Sequence, residues 1–435
     1  MGSARPNIIF ILADDLGYYD LGCYGQRNIL TPNIDGMAAE GIRFTQCYTG
    51  SPVCAPSRSV LMTGQHAGHT RIRENFAKEG GVVILDDGPP QRRGYLESSD
   101  VTVPEVLKGA GYTTGCTGKW GLGEAGTAGV PNRKGFDEWF GYLNQRRAHS
   151  YYPAELWLNE ERKIIEGNQG GQRGQYSHDL FTEFALDFIK RQGEHPFFLY
   201  LAYTIPHARY EVPSVGPYAN RPWPEDAKVY AAMVSRMDRD VGRLLGLLGE
   251  LGIDDRTLVF LCSDNGAAQP WEGIFDSCGQ LRGKKGDLYE GGIRTPMIVR
   301  WPGHVPGGRV SDAVWHFADF LPTAAELAGA KPLSGIDGVS VLSGLLGKRQ
   351  ASRGRPLYWE HHGRGFEQAI RMGRWKAIRR GLSGSLELFD LGNDPGEQRD
   401  LANRHPDVVK GIERYLASAR TESEWWPLER SAAAN

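Results

Sequence analysis

The sequence has no C-x-x-C pair, no apolar run long enough to cross a bilayer, no internal repeat, no block of like charge and almost no net charge. Each absence removes a class of protein. Without C-x-x-C spacing, zinc-ribbon and thioredoxin-type readings have no support. Without roughly 18 apolar residues in a row, no membrane-spanning segment is expected. The net charge of −2, from 50 Lys and Arg against 52 Asp and Glu, is far from the basic surface of a nucleic-acid binder, so no nucleic-acid partner is expected. Any positive charge must be local. Gly 57 and Pro 25 in 435 residues stay below the low-complexity range and predict ordered loops. Apolar content of 40% and this length give ample material for a buried core.

The six cysteines are Cys23, Cys47, Cys54, Cys116, Cys262 and Cys278. Cys116 and Cys262 fall inside apolar runs, where a buried free thiol is expected. With Cys54 set aside for the reason given below, an odd number remains, which gives no clear disulfide framework. Met1-Gly-Ser-Ala4 directly precedes the first apolar run, as expected of a start trimmed of its leader. Location is therefore not legible from that end.

What the chain does have is a series of short apolar runs that end abruptly in polar residues. Residues 7–13 run into Asp14-Asp15, 112–118 into Lys119, 197–203 towards Pro206-His207, and 258–263 into Asp264-Asn265; residues 297–301 form a fifth run. Such runs suit strands buried on both faces. Helical patterns lie between them. Thr31-Pro32 opens a short helix through Ala39. Ser177 stands where it would cap a helix with Leu180, Phe181, Phe184, Ala185, Phe188 and Ile189 on one face. The longest pattern covers about 224–251, with Met233, Met237, Val241, Leu244, Leu248 and Leu251 three or four apart.

Strand alternating with helix predicts an α/β fold with a mostly parallel central sheet flanked by helices. Beyond about residue 350, short strands at 356–360, 368–371, 374–378 and 385–389 follow one another without long helices. They predict a smaller C-terminal antiparallel sheet subdomain, followed by a helix near 405–419. The loop-like composition of 347–354 divides the chain into a catalytic domain, 1–350, and a C-terminal subdomain, 351–435, that completes the substrate pocket.

In an open parallel sheet, ligands gather beyond the carboxyl ends of the strands. Each polar group named above sits at such an end. Asp14, Asp15, Asp264 and Asn265 together offer three carboxylates and an amide oxygen, a hard donor set suited to calcium or magnesium. Asp and Asn also simply open turns after strands. Two such pairs, on separate buried strands, favour the metal. A further feature is Cys54-Ala-Pro56-Ser57-Arg58, followed by Leu61 and Thr63-Gly64. Taken alone it is a cysteine beside a proline turn.

The pattern C-x-P-S-R with L-x-T-G resembles the signature of the formylglycine-dependent sulfatases, a family of the alkaline phosphatase superfamily. Other blocks match that family in order. They are Pro6 to Gly17 with its Asp14-Asp15, Thr31-Pro-Asn-Ile-Asp35, Gly118-Lys119-Trp120, Ser263-Asp264-Asn265-Gly266, Gly286 to Pro296, and Leu386 to Glu397. The resemblance spans nearly the whole chain. It implies that a formylglycine-generating maturation enzyme oxidises Cys54 to an aldehyde, 3-oxoalanine, whose hydrate attacks sulfur and gives a covalent sulfo-enzyme intermediate. It implies that Asp14, Asp15, Asp264 and Asn265 bind a divalent cation, usually calcium with magnesium as the alternative, and that the oxygen installed at Cys54 completes the site. Arg58 would hold the hydrate, Lys119 and Lys285 the sulfate oxygens, and His207 would face the bridging ester oxygen. Lys284 lies beside Lys285, and alignment to the following Gly-rich block favours Lys285. The chemistry is coherent: cations balance the charge on sulfate, a histidine protonates the leaving alcohol, and covalent catalysis divides one hard step in two. Duller roles exist for each group, such as a structural ion pair for Arg58, solvated lysines and a loop histidine at 207. By the same resemblance the protein is periplasmic or secreted and bacterial.

One departure stands out. Many sulfatases read G-K-W-H-L-G, whereas this chain reads Gly118-Lys119-Trp120-Gly121-Leu122-Gly123. The histidine that contacts the hydrate is missing, and His66 and His69 are candidates to replace it. The segment from Asn144 to Pro153 resembles bacterial sulfatases of sulfated glycans and points to a 4-O-sulfated galactose or N-acetylgalactosamine. Gln145, Arg146 and His149 supply hydrogen-bonding groups for a sugar pocket, and Glu360 and His362 are expected to close it. The rival readings are a phosphoester or phosphonate hydrolase of the same superfamily, and a noncatalytic sulfoglycan-binding protein in which the missing histidine marks decay.

Overall fold

Every residue of β1 (Asn7–Ala13) is buried, and its side chains alternate between two cores. Ile9, Ile11 and Ala13 join one; Ile8, Phe10 and Leu12 join the other. A strand covered on both sides has no polar face, which is why the run shows no alternation. The computed structural model, which describes residues 5–85, 89–348 and 354–428, builds a ten-stranded sheet around it. Its other members are β2 (Ile42–Tyr48), β5 (Thr113–Lys119), β6 (Glu138–Tyr142), β7 (Glu155–Leu158), β8 (Glu161–Ile164), β9 (Phe197–Ala202), β10 (Thr257–Ser263), β11 (Arg294–Arg300) and β12 (Arg309–His316), while β3 (Val82–Ile84) and β4 (Gln91–Arg93) form a separate hairpin. The order is β12-β2-β11-β10-β1-β9-β5-β6-β7-β8.

The middle of this sheet, from β10 to β6, is parallel. Its flanks are not. The run at 297–301 belongs to β11, which pairs antiparallel with both β10 and β2. A strand buried on both faces has the same composition in either direction. One face of the sheet is covered by α1 (Pro32–Ala39), α4 (Ser177–Gln192) and α5 (Glu225–Glu250), and the other by α2 (Cys54–Thr63), α3 (Val103–Gly109), α7 (Phe320–Leu327) and α8 (Leu342–Leu345). Ser177 is the first helical residue of α4 rather than its cap; Tyr176 holds the capping position and no side chain caps it.

The C-terminal sheet is antiparallel in chain order: β13 (Leu357–His361), β14 (Glu367–Met372), β15 (Trp375–Arg380) and β16 (Leu386–Asp390). One face packs Trp359, Ile378 and Phe389 against Tyr48, Leu288 and Ile293. The other is covered by α9 (Pro406–Leu416) through Ile412 and Leu416. Buried Lys376 of β15 reaches Glu290, at the start of α6 (Glu290–Ile293), at 3.0 Å and Glu397 at 2.8 Å. The expected division at 350/351 and the segment Met1 to Ala4 lie outside the described residues. All six cysteines are free, with Cys116 and Cys262 buried. Among the described residues, no helix is long and apolar enough to cross a membrane.

Candidate active site

The central strands stop at one level. Ala13 pairs with Ser263, Leu12 with Ala202, and Ala202 with Gly118. The chain therefore delivers Asp14-Asp15, Asp264-Asn265 and Lys119 to a common edge, and the loop after β9 adds His207. Asp15 turns with φ of 69°, a left-handed conformation that Asp tolerates better than most residues. Cys54 arrives as the first residue of α2, and the adjacent Ala55 N–H donates to Asn75 Oδ1 at 2.9 Å. Lys285 comes from the loop before α6.

These groups touch. Cys54 Sγ lies 3.4 Å from Asp14 Oδ1 and 3.4 Å from Lys285 Nζ. Lys119 Nζ donates to Asp14 Oδ2 at 2.7 Å. Arg58 donates through Nε and a terminal nitrogen to Asp264 Oδ2 at 3.0 and 2.8 Å, and to the Lys119 carbonyl at 2.6 Å. Lys285 Nζ lies 2.7 Å from Asp15 Oδ1. Asn265 Nδ2 donates to the same Oδ1 at 2.7 Å. Asp14, Arg58, Lys119 and Asp264 are fully buried.

Three carboxylates thus face three permanent cations, and the balance is uneven among them. Burial and then Asp14 push Asp264 up to about 6. Burial would also raise Asp14, but Lys119, His207, Arg58 and Lys285 outweigh it and hold its carboxyl well below the usual range. A cation has donors here. Asp14, Asp15 and Asp264 supply hard oxygens, and Asn265 Oδ1 is buried without a hydrogen-bond partner, as an oxygen kept for a metal would be. The donor set fits a divalent ion. With two further positive charges the site would carry the excess that an anionic ester requires.

The Cys54 thiol is not built to react as encoded. Burial first, and Asp264 second, push it well above the ordinary cysteine range, so it stays protonated and weakly nucleophilic. His207 Nδ1 donates to the Ala208 carbonyl, which leaves Nε2 facing Lys285 Nζ at 3.1 Å and Asp15 Oδ2 at 3.3 Å. Burial lowers His207 to about 4, with Asp15 opposing. Its ring stacks on that of His149, with centroids 3.7 Å apart and 12° between planes. Burial, then His207, also depress His149, whose Nε2 has no hydrogen-bond partner.

At the position of the missing histidine, Gly121 has φ of +78°, and a Cβ there would lie 2.3 Å from Gln145 Nε2. Buried Gln145 occupies the space that a side chain at 121 would need. Gly121→Ala is expected to lower stability by about 1–3 kcal/mol through strain and overpacking, measured as a fall in thermal midpoint. An unchanged midpoint would mean that the Gln145 side chain yields freely.

Cys54, Gln145, Arg146, His149, His207 and Lys285 line one cleft of about 210 Å³. A larger cleft of about 720 Å³, lined by Trp271, Glu272 and Lys284 among others, lacks Cys54 and most of the converging charged groups, so size does not mark it as the candidate site. Two expectations are corrected. His66 and His69 follow the far end of α2, whose ten residues span about 15 Å, and both face Asp337, His69 Nδ1 at 3.0 Å and His66 Nε2 at 3.6 Å. They cannot replace a group beside Cys54.

Glu360 and His362 do not line the Cys54 cleft either. Both are buried in an ion network in which Glu360 meets Arg73 at 3.1 Å, Arg420 at 3.0 Å and His362 Nε2 at 3.0 Å. Burial opposes the charge on Glu360, but His362, Arg73 and Arg420 hold it down at about 2. Glu360→Gln would strand two arginines and is expected to cost about 3–5 kcal/mol at neutral pH. Because the folded-state pKa is depressed, this contribution is full above the ordinary value of 4.5 and fades as pH falls towards about 2. Denaturation of parent and variant across that range checks it.

The sequence reading missed Asn75, Phe76, Gln91 and Arg93, which complete the cleft. The only local signal was the basic pair Arg92-Arg93, and nothing in it marks a side chain that turns inward.

A family model described as Sulfatase matches residues 6–330, and one described as N-sulphoglucosamine sulphohydrolase, C-terminal, matches residues 284–422. N-acetylgalactosamine-6-sulfatase of Sus scrofa is 37% identical over 419 residues, covering 92% of this chain and 77% of that protein. Arylsulfatase A of Homo sapiens is 33% identical over 463 residues, covering 94% and 86%. Among solved structures, Ps i-CgsB in complex with k-i-k-neocarrahexaose superposes with a TM-score of 0.81 at 29% identity, covering 98% of this chain and 95% of that one.

Proposed function

This chain belongs to the sulfatase family and is a sulfuric ester hydrolase, and on that premise we propose that it cleaves a sulfate ester on a galactose-type saccharide, with Cys54 matured to formylglycine as the residue that bears the nucleophile. The carrying observation is the position of Cys54, between Asp14 and Lys285 at the point where three carboxylates and three cations converge. A thiol held protonated by burial supports a cysteine that is converted before it acts. The formylglycine-generating enzyme is thus a required partner, and a periplasmic or secreted location is the reading the family resemblance supports.

An aldehyde at Cys54 supplies, as its hydrate, the attacking oxygen, and a divalent cation on Asp14, Asp15, Asp264 and Asn265 supplies charge for the sulfate oxygens. Lys119 and Lys285 flank the reacting position and bind the remaining sulfate oxygens. Arg58, anchored on Asp264, fixes that carboxylate and lies 3.7 Å from Asp14. His207 turns Nε2 inward because Nδ1 is engaged by the Ala208 carbonyl. That nitrogen, in contact with Lys285, is the one able to hand a proton to the leaving alcohol once it is protonated. Gln145 fills the space where the family histidine would stand, and His149 lines the same cleft.

The relatives support a choice of sugar and position. One acts, by its name, on N-acetylgalactosamine 6-sulfate, and another binds a neocarrahexaose. We place the 6-sulfate of N-acetylgalactosamine first and the 4-sulfate, suggested by the 144–153 segment, second. The residues after 350 approach the site through Arg364, which pairs with Asp287 at 3.2 Å, two positions from Lys285. Hydrolysis assays on 4- and 6-sulfated galactose and N-acetylgalactosamine test the reading. Release from one of these supports it; turnover of phosphate esters alone would sink it.

A further inference from the structure

Arg93 lies in the cleft wall with Cys54, His149 and Lys285, and it is only 5% exposed. It makes no ion pair within 4 Å among the described residues. A terminal nitrogen donates to the Asn75 carbonyl at 2.9 Å, the Phe76 ring covers the guanidinium 4.7 Å from its centroid, and Nε is buried without a partner. Burial, with Arg146 adding to it and Glu124 opposing, pushes the group down to about 10. A buried guanidinium without a counterion is unfavourable and is retained where a ligand supplies the missing charge.

The cations that serve the scissile sulfate differ in this respect. Lys119, Lys285 and Arg58 each have a carboxylate. Arg93 comes from β4, on the separate hairpin rather than from a central strand, and is flanked in the cleft by Asn75, Gln91 and Gln145, whose Nε2 is also unpartnered.

We propose that Arg93 receives a second anionic group of the substrate, a carboxylate or a further sulfate near the scissile ester, so that the preferred substrate is a doubly anionic saccharide. The inference rests on the proposed sulfatase activity at Cys54. A planar guanidinium matches either oxyanion through two donors, so one chemistry covers both sources.

The test compares kcat/KM of the matured parent, Arg93→Gln and Arg93→Lys on three substrates: a singly sulfated sugar, the same sugar with a second sulfate, and the same sugar linked to a uronate. The parent is expected to prefer at least one doubly anionic substrate over the singly sulfated one. In Arg93→Gln that preference ratio should fall by roughly 10- to 100-fold, chiefly through KM, the size expected for losing a hydrogen-bonded charge partner. Arg93→Lys should recover part of it. The sulfate and uronate arms separate the two sources. An equal loss on all three substrates, or an unchanged ratio in a variant whose thermal midpoint matches the parent, overturns the proposal. If the parent hydrolyses none of them, the function reading has failed, and calorimetry with the same saccharides on Cys54→Ala decides this inference alone. Loss of the preference in Cys54→Ala/Arg93→Gln supports it, and equal affinity for singly and doubly anionic ligands in Cys54→Ala overturns it.

Discussion

Cys54→Ala is expected to lose sulfate-ester hydrolysis by at least roughly four orders of magnitude while keeping its fold, because removing a nucleophile removes the covalent route and not merely one contact. No other group in the cleft can take over. The remaining lining residues with nucleophilic or basic atoms are Lys285, His149 and His207 beside the arginines. Burial works against the charge on Lys285, but Asp15 and Asp14 outweigh it and hold the ammonium above the ordinary lysine range. Its lone pair is therefore unavailable at neutral pH. The histidines stack on one another and His207 also contacts Lys285, which places them for proton transfer rather than attack. The Cys54 side chain is small and 2% exposed, so its truncation leaves the neighbouring ion pairs in place. Initial rates of sulfate release from parent and variant, at equal thermal midpoint, check the prediction. A variant within tenfold of the parent would remove Cys54 from the mechanism.

Chelation of the cation is the second large effect. Stripping it should reduce kcat/KM by roughly 10²- to 10³-fold, the size seen when one preorganised electrostatic contact to a developing charge is lost. Calcium should restore the rate. Asp15→Asn should show a similar loss without restoration, because Asp15 also holds Lys285 and accepts from Asn265. The stripped protein should show a distinctive pH dependence. Asp264 is raised from 3.8 to about 6, so its own contribution to stability falls as pH rises through that interval, while His207, lowered to about 4, contributes a rise over much of the same range. A bound cation reverses the Asp264 preference, so the gain in midpoint from added calcium should grow as pH rises. Thermal midpoints between pH 4 and 6, with and without calcium, read both. A chelated enzyme with full activity would contradict the metal assignment.

Much of this site was legible because its chemistry is tied to strand ends. A buried run that stops at Asp14-Asp15 or at Asp264-Asn265 declares both its burial and its terminus in local sequence. The parallel register that brings Ala13 level with Ser263 then follows from the α/β pattern. What depended on packing between distant segments was not legible. Glu360 and His362 look like pocket residues in sequence, yet their partners Arg73 and Arg420 lie far away along the chain. Gly121 reads as a vacant position, whereas the structure shows its space filled by Gln145. His66 and His69 are near Cys54 in sequence but separated from it by the length of α2. Arg93 showed only as half of a basic pair, because a hairpin folds it inward and no periodicity records that.

The central claim is that hydrolysis depends on conversion of Cys54. The most direct measurement prepares the protein with graded co-expression of a formylglycine-generating enzyme, quantifies the aldehyde at Cys54 by peptide mass, and measures sulfate release from 6- and 4-sulfated N-acetylgalactosamine in the same samples. The rate should rise in proportion to the aldehyde fraction and extrapolate to zero when Cys54 is wholly unmodified. Hydrolysis by fully unconverted protein, or none from fully converted protein on any sulfate ester, would contradict the account.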